Sequence, residues 1–198
     1  MKTYVATKNA GKLDEMRAIF AGSPLELDTF VDYADVVEDG DDYLANASLK
    51  VRALVAALQA AQISAAVLAD DSGLEVEALG GRPGVYSARY AGPHASWAQR
   101  RARLLAEMRD VPDDARGARF VSAMVLQLAD GQRLSAFGSV DGRIVREERG
   151  RGGFGYDPLF LYPPRAFTFA QLEASEKNAV SHRGRAADGL LAALRDRV

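Results

Sequence analysis

The chain has 198 residues, 48% of them hydrophobic and 26% charged, a composition that suits one substantial domain, or one domain with two lobes, and excludes disorder. Its 25 Lys and Arg against 27 Asp and Glu leave a net charge of -2, which argues against a nucleic-acid polymer as partner. With no cysteine there is no disulfide, thiolate nucleophile or cysteine-bound zinc. No apolar run approaches the ~18 residues of a membrane span, and Met1 to Tyr4 lacks a signal-peptide pattern, so a soluble, cytoplasmic protein with no membrane partner is expected.

Tyr4-Val5-Ala6 reads as a first strand. The turn-like Thr7-Lys8-Asn9-Ala10-Gly11 follows, and Lys12 opens a helix with Leu13, Met16 and Phe20 on one face, ended by Gly22 and Pro24. A second helix is predicted from about Tyr43 to Ala61, where Leu44, Ala47, Val51, Val55 and Leu58 recur at three- and four-residue spacing. Ile63 to Ala69 reads as a buried strand that ends on Asp70-Asp71-Ser72-Gly73. A glycine-rich excursion runs from Gly80 to Gly92, then a helix from Trp97 to Met108 with its arginines on the exposed side. Phe120 to Leu128 is a long strand. Asp130-Gly131 and Asp141-Gly142 each carry hairpin chemistry, which predicts a three-stranded antiparallel meander ending at Ile144-Val145. A loop from Gly150 to Pro158, a polar turn and a helix with Leu190, Leu191 and Leu194 complete the chain. The fold class expected is mixed α/β: a twisted, partly antiparallel sheet with flanking helices, in a single domain over residues 1–198.

Four segments carry chemistry. Thr7-Lys8-Asn9-Ala10-Gly11-Lys12, between a strand and a helix, offers helix N-terminal N–H groups and a lysine to a phosphate, although the spacing is not that of a Walker loop. A plain capped turn is the competing reading. Asp70 and Asp71 at the end of an apolar strand are costly to bury without a cation or donors, and oxygen ligands of this kind suit magnesium. The alternative for Asp71 is a cap, and for Asp39, Asp41 and Asp42, next to Glu38, a solvated acidic loop. In Gly152-Gly153-Phe154-Gly155-Tyr156-Asp157-Pro158 the glycines permit close approach, Phe154 can stack on a flat ring and Asp157 can accept hydrogen bonds; a hairpin loop with an aromatic plug is the alternative. Lys177, His182 and Arg183 converge on a helix boundary as an anion or base-edge site, or as a solvated basic face.

Taken together in this order, Ala6 to Lys12, Ala69-Asp70-Asp71-Ser72-Gly73-Leu74, Gly80 to Tyr90, Gly152 to Pro158 and Ser181-His182-Arg183-Gly184 resemble the inosine triphosphate pyrophosphatase family, with its bacterial dITP/XTP pyrophosphatase branch. The resemblance covers essentially the whole length. It implies two lobes around a nucleotide cleft, and magnesium-dependent hydrolysis of ITP, dITP and XTP to the monophosphate and pyrophosphate in a homodimer. Carried over by position, Thr7, Lys8, Asn9, Ala10, Gly11, Lys12 and Lys50 would hold phosphates. Asp71 would be the proton acceptor and, with Glu38, a metal ligand. Ser72, Phe154, Gly155, Tyr156, Asp157, Lys177, His182 and Arg183 would contact the rest of the nucleotide. Two departures stand out. In Gly40 to Ala47, Ala45 replaces a family glutamate and Asp42 a threonine, so that Glu38 is matched to the metal-binding glutamate only if no one-residue slip intervenes. Gly92-Pro93-His94-Ala95-Ser96-Trp97 also departs from the family's acidic loop. Two other readings are a nucleotide sensor without turnover, against which the intact carboxylates and lysines count, and a Maf-like pyrophosphatase for modified pyrimidine nucleotides, whose opening loop differs.

Overall fold

The computed structural model describes residues 1–34 and 36–197. The chain forms two compact units. The first comprises Met1–Asp71, Ser122–Gly138 and His182–Val198; the second comprises Ser72–Val121 and Ser139–Ser181. Seven strands, β1 (Lys2–Val5), β2 (Glu26–Asp28), β3 (Ala66–Val76), β4 (Gly117–Gln127), β5 (Arg133–Ile144), β6 (Phe160–Tyr162) and β7 (Phe167–Thr168), are ordered β2-β1-β3-β4-β5-β6-β7. Among the described residues the α-helices are α1 (Ala10–Ile19), α2 (Tyr43–Ala60), α3 (Trp97–Glu107), α4 (Ala174–Val180) and α5 (His182–Arg195).

In the first unit β1 pairs parallel with both β2 and β3. Such strands need helical crossovers and covered faces, and the sequence supplies both. Alternation along the strands divides the unit's core in two. Val5, Leu68, Met124 and Leu126 pack with Met16 and Phe20 of α1 and Ala186, Ala187 and Leu190 of α5. Tyr4, Ala6, Val67, Ala69 and Val125 pack with Ala47, Val51, Leu54 and Leu58 of α2. Because side chains alternate with a period of two, the α1/α5 layer and the α2 layer cover opposite faces of the strands.

The second unit is built on antiparallel pairs, β5 with β6 and β6 with β7. Its core joins Leu74 and Val76 of β3 to Leu104 and Met108 around α3 and to the aromatic group Phe120, Phe160 and Phe169. Phe120 lies 4.5 Å from Phe160 and stacks on Phe169 at 5.9 Å.

The expected mixed sheet with flanking helices is the one observed, and α2 begins at Tyr43 as expected. Three local expectations are corrected. The acidic pair lies inside β3 rather than after it, since the strand runs on through Ser72 and Gly73 to Val76. Asp141-Gly142 is not a hairpin turn: β5 continues through it, and a Cβ at Gly142 would come within 2.5 Å of the Leu161 carbonyl and the Phe160 ring, so the glycine serves close packing of β6. The arginines of α3 are not all exposed, because Arg100 is buried and Arg101 half-buried. Among the described residues no helix is long and apolar enough to cross a membrane.

Candidate active site

The alternation of β3 decides what its two carboxylates touch. Leu68 and Ala69 belong to opposite core layers, so Asp70 follows Leu68 toward α1 and α5 while Asp71 follows Ala69 toward α2. Both are buried, at 3% and 4% exposure.

Asp70 is clamped from several sides. Its Oδ2 lies 2.9 Å from Lys12 Nζ of α1 and accepts from Arg183 Nε of α5 at 3.2 Å, while Oδ1 accepts from the Ser122 hydroxyl of β4 at 2.5 Å. Arg183 is in turn bound through Nη1 to Glu15 Oε2 at 3.1 Å. Burial alone would raise the Asp70 pKa, but the Lys12 ammonium and the Arg183 guanidinium outweigh it and hold the carboxyl well below the usual carboxylate range. Lys12 moves down in response to its burial, with Lys50 and Arg183 adding repulsion and Asp70 opposing.

Asp71 has a different company. Lys50 Nζ lies 2.7 Å from its Oδ1 and 3.1 Å from Glu38 Oε1, so two carboxylates share one ammonium. Lys50 also donates to the Asp70 carbonyl at 3.4 Å. The side-chain amide of Asn46 donates to Asp71 Oδ2 at 3.3 Å, and its oxygen accepts from Gly40 N–H at 2.9 Å, tying the 38–40 loop to the strand. Burial raises the Asp71 pKa and the Glu38 carboxylate adds to it, against the pull of Lys50 and Lys12. Asp39 and Asp41 are exposed, as the solvated-loop reading expects, whereas Asp42 is the N-cap of α2 and accepts from Ala45 N–H at 2.7 Å.

The segment ahead of α1 is an ordered turn. Asn9 caps the helix, its side chain accepting from Lys12 N–H at 3.1 Å, and Asn9 N–H donates to Thr7 Oγ1 at 3.2 Å. Lys8 is exposed, its ammonium 5.3 Å from the Tyr33 ring centroid. Ala10 and Gly11 open the helix, where backbone N–H groups have no intrahelical acceptor. His182 is buried at the first position of α5.

The remaining expected residues belong to the second unit. In the loop ahead of β6, Asp157 Oδ2 accepts both from Phe154 N–H at 2.9 Å and from the Lys177 ammonium of α4 at 2.7 Å. That ammonium also lies 5.1 Å from the Phe154 ring centroid. Gly155 and Tyr156 are buried, Phe154 is half-buried, and the Tyr156 hydroxyl donates to the Ser87 carbonyl at 3.2 Å. Ser72, half-buried, follows Asp71 in β3.

The expected residues thus form two constellations, one in each unit: Lys12, Glu38, Lys50, Asp71 and Arg183, joined through Asp70, and Phe154, Asp157 and Lys177. Sequence reasoning did not single out Asn46, Ser122 or Glu15. Asn46 stands four residues before Lys50, the spacing that places both on one helix face; Ser122 and Glu15 carry no local signal. Among the described residues no group of three or more His, Asp and Glu side chains forms a full protein metal cage.

The model of the Ham1 family matches residues 3–193. The chain is 46% identical over 197 residues to the dITP/XTP pyrophosphatase of Exiguobacterium sibiricum, covering 98% of this chain and 97% of that one. Its fold is similar to that of the Staphylococcus aureus Ham1 protein, with a TM-score of 0.84 and 35% identity over the full length of both. It is also similar to the nucleoside-triphosphatase, or dITP/XTP pyrophosphatase, of Mycobacterium abscessus, with a TM-score of 0.72 and 42% identity over 98% of each chain. A model match from residue 3 to residue 193, together with relatives this similar from end to end, makes the chain a member of the Ham1 family.

Proposed function

We propose that the protein is a dITP/XTP pyrophosphatase that hydrolyses dITP, XTP and ITP to the monophosphate and pyrophosphate, removing non-standard purines from the nucleotide pool. The observation that carries the reading is the division of labour between adjacent carboxylates. Asp70 is spent on holding Lys12 and Arg183, whereas Asp71 shares a single ammonium with Glu38.

Hydrolysis of a phosphoanhydride needs positive charge at the phosphate oxygens and a group that orients or deprotonates water. Lys12 and Lys50 supply the charge, with the N–H groups at the start of α1 beside Thr7 to Gly11 as further phosphate donors. Asp71 takes the proton, a role favoured by its raised pKa. Two carboxylate oxygens converging on one positive group are the donor set that magnesium uses when substrate phosphates complete its shell, so Asp71 and Glu38 would hold it. Bound there, magnesium would neutralise charge on phosphate oxygens.

Ser72, Phe154, Gly155, Tyr156, Asp157 and Lys177 of the second unit are assigned to base and sugar. Inosine and xanthosine carry a 6-oxo acceptor where adenine carries an amino donor. A site that offers hydrogen-bond donors to that oxygen leaves adenine mismatched, which is a strong basis for rejection. The resemblance over the full length further supports residues 1–198 acting as one functional domain, in a cytoplasmic homodimer.

The test is pyrophosphate release from ITP, XTP, dITP, ATP and GTP with magnesium. Inosine and xanthosine nucleotides are expected to be turned over at least about a hundredfold more efficiently than ATP, the discrimination typical of a site that hydrogen-bonds one group. Comparable turnover of ATP sinks the substrate assignment.

A further inference from the structure

Helix α3 holds the 152–157 loop through side chains that have no part in the proposed chemistry. Arg101 Nη1 donates to the Gly155 carbonyl at 2.9 Å, reaching across 54 positions of chain, and its Nε lies 2.8 Å from Glu148 Oε1 at the approach to the loop. Four residues earlier on the helix, Trp97 lies directly against Gly155: a Cβ at that position would meet ring atoms Cη2 and Cζ3 at 3.7 Å. The Trp97 ring also meets Tyr156 edge-on, 5.5 Å between centroids at 79°. Arg100 backs the indole from 4.9 Å.

Gly155 has φ +68°, a left-handed conformation that glycine enters and leaves at little cost. Such a residue beside a flat ring is a liability unless something fixes its peptide planes. The Gly155 carbonyl and the Tyr156 N–H lie in one rigid peptide plane, so fixing the carbonyl on Arg101 also fixes the direction of that N–H. The other end of the turn is fixed independently, by Asp157 on Phe154 N–H and Lys177.

We infer that Trp97 and Arg101 are positioning residues for the base-binding loop: they preorganise the Gly155 turn so that Phe154 and its neighbours meet a planar purine without a further ordering cost. This rests on the proposed assignment of that loop to the base. The base is remote from the bond that breaks, so its contacts are equal in ground and transition states, and losing the preorganisation raises KM while sparing kcat.

Trp97 is the one tryptophan of the chain, so its emission reports on this turn in the intact protein. Titration with inosine monophosphate should give a saturable change in Trp97 emission. Arg101→Met should raise KM for ITP about tenfold, the usual loss for a charge-assisted hydrogen bond, with kcat within about twofold. Arg101→Lys, which keeps a donor, should recover part of that loss, and it stands in if Arg101→Met fails to fold. Phe154→Ala is measured alongside. If Phe154→Ala raises KM but neither Arg101 variant does, the loop holds the base and the positioning inference fails. If Phe154→Ala leaves KM unchanged, the base assignment fails and the inference with it. A fall in kcat at unchanged KM marks Arg101 as a support of the fold alone and also overturns the inference.

Discussion

Two carboxylates that are neighbours in sequence have different partners because a strand turns alternate side chains to opposite faces. Asp71→Asn keeps the size and much of the hydrogen bonding but removes the proposed proton acceptor. Turnover is expected to fall by about a hundredfold to ten-thousandfold while inosine monophosphate binding, followed by calorimetry, stays within a few-fold. Near-normal turnover would falsify the role given to Asp71. Asp70→Asn acts on stability instead, since it strands the buried charges of Lys12 and Arg183; urea unfolding should show a loss of about 3 kcal/mol at neutral pH. The pH dependence follows from the depressed pKa of Asp70. A carboxylate held below its unfolded value of 3.8 stabilises the fold above that pH and loses the contribution as pH falls through the folded value. The wild-type protein should therefore lose stability on acidification below about pH 4 more steeply than Asp70→Asn. Equal slopes in the two proteins remove Asp70 as the acid-sensitive group.

At α2, one helix face serves two masters. Its apolar stripe, Ala47, Val51, Leu54 and Leu58, packs on the strands, and its first turns carry Asn46 and Lys50, four residues apart, to Asp71. Asn46→Ala removes the donor to Asp71 and the acceptor for Gly40 N–H together. A stability loss of about 1–3 kcal/mol is expected, from urea midpoints, with kcat reduced because both Asp71 and the Glu38 loop lose their common support. Unchanged kcat in a folded variant shows that Asn46 does not position Asp71. Ala47, Val51 and Leu58 of the stripe were legible in the sequence from their three- and four-residue spacing, whereas the spacing selected Leu44 and Val55, which are only partly buried, and passed over the fully buried Leu54. Asn46 was not legible, because a buried amide differs from an exposed one only in what lies opposite. The Asp141-Gly142 error has the same origin: the dipeptide is the chemistry of a tight turn, yet β5 needs the missing side chain so that β6 can approach. The half-buried Arg101 of α3 likewise owes its inward placement to a partner 54 positions away, the Gly155 carbonyl, whereas the buried Arg100 donates to the nearby Gly92 carbonyl.

Over the molecule as a whole, a net charge of -2 gives no general attraction for a polyanion, so the proposed function assigns the hold on a triphosphate to the local lysine and helix-terminus donors together with a cation. Chelation by EDTA is expected to abolish pyrophosphate release and added magnesium to restore it, while far-UV circular dichroism stays constant, because Lys50 keeps Asp71 and Glu38 paired without the metal. Full turnover in EDTA refutes the metal requirement. Order and type of segment were what the sequence by itself determined: an apolar strand running into two carboxylates, a lysine-bearing turn before a helix, a glycine-aromatic loop and a basic helix start, enough to identify the family and its chemistry. Only the tertiary structure decided which partners each carboxylate takes. Besides Lys12, two partners of Asp70 lie 52 and 113 positions away, at Ser122 and Arg183, and strand register and helix packing, not local sequence, bring such groups together.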